Sequence, residues 1–220
     1  MSTCETNKPN IEDKQTLVYL LSPVRNVTKE QEYIISEYAK SLDAPEIRLF
    51  NPVKDAPQHD ETGYNIVMAE LNFLHEAALN GGRVDVLWNM GGTPSEGSRV
   101  DIGMALSLGV ATNLVHVFNS EEPTGPQLGY KLLRGERKIS VKDIVDDIQS
   151  CREVIIDWDM EMVTEEQEWL RIFLGIALGE KIKNPSLKII LGDVVGVDPQ
   201  DKKSYVKVIK EIERRQLEIE

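Results

Sequence analysis

Short apolar runs alternate along the chain with segments whose apolar residues recur every three or four positions, the pattern of buried strands alternating with amphipathic helices. Thr16-Leu17-Val18-Tyr19-Leu20-Leu21, ended by Ser22-Pro23, predicts a first strand. Thr28-Lys29-Glu30-Gln31 has the capping-box spacing, and Tyr33, Ile34, Tyr38 and Leu42 follow at helical intervals, which predicts a helix to about Ser41. Ile47-Arg48-Leu49-Phe50 reads as a short strand stopped by Asn51-Pro52. A polar loop with Pro57, His59 and Asp60 then leads to a helix from about Tyr64 to Ala78.

Val84-Asp85-Val86-Leu87-Trp88 predicts the next strand, and Gly97 to Leu108 a helix with Val100, Met104, Ala105 and Leu108 on one face. Asn113 to Phe118 predicts a further strand, followed by helices at Gln127 to Arg134 and Val141 to Ser150. This alternation predicts an α/β fold, a parallel sheet covered by helices on both faces. Residues 151–220 read as strand (Val154-Ile155-Ile156), helix (Thr164 to Ile182), strand (Leu187 to Leu191) and a charged terminal helix. The expected organisation is a polar tail over 1–15, a domain over 16–150, and a C-terminal βαβα extension over 151–220. The extension either continues the sheet or forms a small subdomain. Ile102-Gly103-Met104-Ala105-Leu106 is echoed by Leu174-Gly175-Ile176-Ala177-Leu178. The echo fits either a degenerate internal copy or two helices that each use glycine to pack closely on a sheet.

Composition narrows the partners. The 220 residues are 41% hydrophobic, enough for one sizeable core. Thirty-seven acidic against 25 basic residues give a net charge of −12, a surface that repels nucleic-acid polymers. A single small phosphate can still be held by backbone N–H groups and one arginine. Cys4 and Cys151 have no His or Cys at metal spacing, so no disulfide framework, metal or cofactor is expected. Met1 to Gln15 has no apolar signal core, and no run approaches the roughly 18 apolar residues of a membrane span. A cytoplasmic protein without membrane contact is expected.

In open α/β sheets, ligands sit beyond the carboxyl ends of the strands, so the loops starting at Ser22, Asn51, Asn89 and Asn119 are expected to converge on one crevice. Gly91-Gly92-Thr93-Pro94-Ser95-Glu96-Gly97-Ser98 offers close backbone approach, a hydroxyl and unpaired N–H groups at a helix start, which suit a phosphate or sugar oxygen. Asp101 follows in that helix. Taken singly, Asp101 fits a charged residue of a first helical turn, Glu70 a solvated helix face, and Tyr19 a core aromatic. His116, in mid-strand, fits a packed histidine, and the three histidines form no catalytic or metal-binding arrangement.

The order of motifs joins these residues. Tyr19-Leu20-Leu21-Ser22-Pro23, Ala69-Glu70-Leu71, Asp85-Val86-Leu87 and Gly97-Ser98-Arg99-Val100-Asp101-Ile102-Gly103-Met104-Ala105 resemble the ordered motifs of nucleoside 2-deoxyribosyltransferases over roughly residues 16–135. The resemblance implies a flavodoxin/Rossmann-like, doubly wound sheet and a carboxylate nucleophile at Asp101, where the family has Glu. It implies an acid/base or substrate-orienting role for Glu70, where the family has Asp, and for Tyr19 a hydrogen bond that orients Asp101. The two carboxylates are thus exchanged in length. Ser95 before Gly97, together with Arg25 after the first strand, is closest to the 2'-deoxynucleoside 5'-phosphate N-hydrolases of that superfamily, in which such groups hold a 5'-phosphate.

The resemblance thus implies cleavage or transfer of the N-glycosidic bond of a nucleoside or nucleoside 5'-monophosphate, with hydrolase and transferase both open. Ser22, Arg25, Gly92, Ser95, Gly97, Ser98 and Asn119 are the implied substrate-binding residues, and a homo-oligomer is implied in which Asn119 and its loop reach a neighbouring subunit. The alternative on the same fold is a catalytically inactive nucleotide-binding or sensing module.

Overall fold

Thr16–Leu21 (β1) pairs in parallel with Ile47–Phe50 (β2) on one side and Arg83–Asn89 (β3) on the other, and β3 pairs in parallel with Ala111–Phe118 (β4). The sheet order is therefore β2-β1-β3-β4. The computed structural model describes residues 15–24, 27–57, 59–90, 96–119, 128–136, 140–159, 164–195 and 205–217. The two central strands, β1 and β3, are buried on both sides by different helices, which is why they read as nearly continuous apolar runs.

On one face, Leu20, Leu87 and Phe118 are covered by Ile34, Ile35, Tyr38 and Ala39 of Lys29–Ser41 (α1). The capping box at Thr28 and Gln31 is formed in both directions. Tyr33, expected on the buried side of this helix, is instead 65% exposed, because the sheet is met one position later, by Ile34 and Ile35. On the other face, Leu17, Tyr19, Leu21, Val84, Val86 and Trp88 join the main core with Tyr64–Asn80 (α3) and Glu96–Leu108 (α4). This is the doubly wound, flavodoxin-like α/β arrangement. A short helix that the sequence did not announce, Pro52–Asp55 (α2), follows β2. The Asn51 side chain caps it by accepting from the Val53 N–H at 3.1 Å. Among the described residues no helix is long and apolar enough to cross a membrane.

After Leu128–Leu133 (α5) and Val141–Ser150 (α6), the chain forms Glu153–Asp159 (β5), Thr164–Lys183 (α7), Lys188–Val195 (β6) and Tyr205–Leu217 (α8). β5 and β6 pair in parallel as a separate two-stranded sheet. The extension therefore does not lengthen the first sheet. It attaches through α7, which crosses α4 where the sequence echo lies.

That crossing is reciprocal. A methyl group placed on Gly103 meets the Ile172 carbonyl oxygen at 2.1 Å and the Gly175 Cα at 2.9 Å. One placed on Gly175 meets the Val100 carbonyl oxygen at 2.1 Å and the Gly103 Cα at 2.9 Å. The echoed glycines thus let two helices touch backbone to backbone, where the sequence suggested a helix on a sheet. Polar groups brace the next turn: Ser107 Oγ donates to Glu180 Oε1 at 2.7 Å, and Lys183 Nζ donates to the Ser107 carbonyl at 2.7 Å.

Alanine at either glycine gains about 1 kcal/mol of helix propensity, yet overpacking costs about 1–3 kcal/mol or more when, as here, the obstacle is backbone that cannot rotate aside. Gly103→Ala and Gly175→Ala are each expected to lower the melting temperature in calorimetry by about 4 °C or more. An unchanged transition in both variants would contradict the crossing.

Candidate active site

The order β2-β1-β3-β4 reverses direction between β1 and β3, and in open α/β sheets the carboxyl ends of the two strands at such a switch point are where ligands bind. Tyr19 comes from β1, Asp101 from α4, the helix after β3, and Glu70 from α3, the helix before it. The structure brings these three together inside the protein.

Tyr19 points into the main core, where its ring stacks on Phe50 at 5.4 Å between centroids and lies 6.3 Å from Phe73. The aromatic neighbours fix the ring, and its hydroxyl donates to Asp101 Oδ2 at 3.0 Å. Asp101 is buried, and its second oxygen, Oδ1, receives no hydrogen bond from an amide or hydroxyl group. The neighbouring acid is Glu70, also buried, whose carboxyl shares a hydrogen bond with that of Asp101. Glu70 therefore does not lie on a solvated helix face.

Two carboxyl groups this close and this dry cannot both ionise cheaply. Burial, followed by the charge of Asp101 and the hydrogen bond to it, holds Glu70 well above the usual carboxylate range. Burial also pushes Asp101 up to about 7, against the Tyr19 hydroxyl and the Glu70 carboxyl, which both favour its anion. Asp101 is the first of the two to ionise, as the pH rises through about 7, and its charge then holds the proton on Glu70. Chemically this is a nucleophile or base beside a proton donor.

The remaining sequence candidates are not drawn into that contact. Ser22 is buried directly after β1, Ser98 is buried and Gly97 half-buried in the first turn of α4. Asn119 is exposed with a left-handed φ of 53°, and its amide donates to Asn89 Oδ1 at 2.9 Å, tying together the ends of β3 and β4. Arg25, Gly92 and Ser95 lie outside the described residues. His116, expected to be packed, is exposed on β4, with its ring edge-on to Phe118 at 4.6 Å, because the side chain projects from the outermost strand of the sheet. Among the described residues no group of His, Cys, Asp or Glu is placed to hold a metal ion.

Sequence reasoning missed the support beneath Asp101. Arg99 is buried, stacks its guanidinium on Trp88 at 4.5 Å and pairs with Glu168 of α7 at 3.4 Å. Burial lowers Arg99 to about 10, opposed by Glu168 and reinforced by Arg171, so it stays charged at neutral pH. The Glu168 carboxylate also accepts the N–H groups of Leu128 and Gly129 at 2.9 and 3.1 Å, capping α5. One buried carboxylate of the extension therefore anchors both α4 and α5. Its signal was faint: Glu168 and Arg171 repeat, around the second glycine, the spacing of Glu96 and Arg99 around the first.

Comparisons with protein-family models, with curated proteins and with solved structures return no match, so the site stands on its own geometry.

Proposed function

We propose that this protein cleaves or transfers the N-glycosidic bond of a nucleoside or nucleoside 5'-monophosphate, with Asp101 as nucleophile, Glu70 as acid/base and Tyr19 as the group that orients Asp101. The observation that carries the reading is the buried Tyr19–Asp101–Glu70 cluster at the switch point of the sheet. The motif order that resembles nucleoside 2-deoxyribosyltransferases supports it from the sequence side.

In this reading Asp101 Oδ1, which has no amide or hydroxyl donor, attacks the anomeric carbon. The carbon–nitrogen bond breaks as Glu70 gives its proton to the departing base. Glu70, now a carboxylate, takes a proton from water or from a second base, which displaces Asp101 from the sugar. Retaining glycosidases hold their carboxyl groups about 5–5.5 Å apart across the sugar, whereas here the two touch, so substrate entry parts them. The parting hands Glu70 its task as acid and leaves Asp101 anionic.

Incubation with a panel of nucleosides and 5'-monophosphates, followed by chromatography, is expected to release free base, and Asp101→Ala to abolish that release. If no substrate of the panel yields base, the protein is a binding or sensing module instead. Glu70→Gln is expected to slow base release by about 10²–10⁴-fold.

The pH profile of kcat/KM follows from the two shifts. Activity is expected to rise as Asp101 ionises, with a midpoint near 7, and to fall at higher pH as Glu70 loses its proton. Tyr19→Phe keeps the ring but removes the hydroxyl that favours the Asp101 anion. It should therefore move the acid limb upward and lower kcat/KM by about tenfold or more. An acid limb left in place in Tyr19→Phe would separate the hydroxyl from the chemistry.

A further inference from the structure

A cavity of about 600 Å³ lies between α3, α7, β6 and α8, within the roughly 300–1,000 Å³ typical of small-molecule sites. Its walls are aliphatic: Met68, Leu71, Leu178, Ile182, Ile189 and Ile212. The one aromatic ring on the lining, Tyr64, already carries the Arg215 guanidinium over one of its faces at 4.0 Å. Arg215 is itself held by Glu211 at 2.7 Å.

Lys181 is the unusual member of this lining. Its half-buried ammonium donates to the Pro185 carbonyl at 2.9 Å and to the Leu187 carbonyl, leaving a third N–H. No acidic side chain of the described residues offsets its charge, and burial alone lowers its pKa. Lys188 adds a second cation, against a single lining carboxylate, Glu213. An uncompensated ammonium beside an aliphatic chamber, in a chain of net charge −12, calls for an anion with an apolar body.

We infer that this cavity binds an aliphatic carboxylate, its chain among the α3, α7 and α8 side chains and its head group on Lys181 and Lys188. The site is separate from the carboxyl pair and rests on nothing in the proposed reaction. Tyr64, Met68 and Leu71 lie on one stripe of α3, while Glu70, on another side of the same helix, meets Asp101.

Calorimetric titration of the full chain with decanoate, below the concentration at which it forms micelles, is expected to give one saturable site. Methyl decanoate, which lacks the charge, should bind about tenfold or more weakly, and Lys181→Gln should weaken decanoate by a similar factor. Met68→Trp should fill the chamber and abolish binding. Lys188→Gln changes an exposed residue, keeps the packing and should still cost a few-fold, so the inference does not depend on how Lys181→Gln folds. No saturable binding by the unaltered chain, equal affinity for acid and ester, or unchanged affinity in both lysine variants overturns it.

Discussion

The backbone contact between Gly103 and Gly175 is the constraint on which the rest of this structure turns. Helices normally meet through side chains with axes about 8–10 Å apart. Glycine at both crossing points removes that spacing, and the two carbonyl-lined surfaces meet directly. Among the described residues the C-terminal unit has its own small sheet and no strand in the first one, so this crossing fixes it to the domain that carries the candidate site. Arg99 and Glu168 add a buried ion pair beside it. Breaking such a pair costs about 3–5 kcal/mol, because it strands a charge in the core. Asp101 stands between Arg99 and Gly103, so both contacts fix the segment from which the carboxylate projects.

Holding Asp101 there has an energetic consequence. A buried acid whose pKa is raised on folding disfavours its own ionisation in the fold. The resulting loss of stability is absent below the ordinary carboxylate range and grows as the pH rises through it towards about 7. Tyr19 and Glu70 reduce that cost by hydrogen bonding, and the stacked rings of Phe50 and Phe73 keep the tyrosine in place. Asp85 marks the contrast. It is equally buried on the opposite face of the sheet, but its carboxylate accepts from Tyr38 at 2.9 Å, from Arg83 at 3.0 Å and from Asn113 at 3.1 Å. Asp85 is saturated and structural, whereas Asp101 keeps an oxygen without such a donor.

The alternation of apolar runs and helical periodicity carried most of the architecture, because strands and helices covered on known sides leave their period in the sequence. The short helix after β2 escaped, since a single turn has no period and is made by the Asn51 cap and Pro52. The pairing of Glu70 with Asp101 was legible only as an order of motifs: nothing in a helix reading separates a buried glutamate from a solvated one. The echoed glycines were visible, but their partner was not, because a small residue announces close approach without saying to what. Arg99 and Glu168 lay beyond pattern reasoning, since buried charges look like surface charges until the fold brings them together.

The central claim is that Asp101 is the first of the two buried acids to ionise, near pH 7, and that Glu70 keeps its proton there. Carbon-detected NMR of the full chain with labelled aspartate and glutamate carboxyl groups, assigned by Asp101→Asn and Glu70→Gln, reads this directly. The account predicts that the Asp101 carboxyl titrates near 7 and that Glu70 is still protonated there. Titration of both carboxyls in the ordinary range, near pH 4, would contradict it.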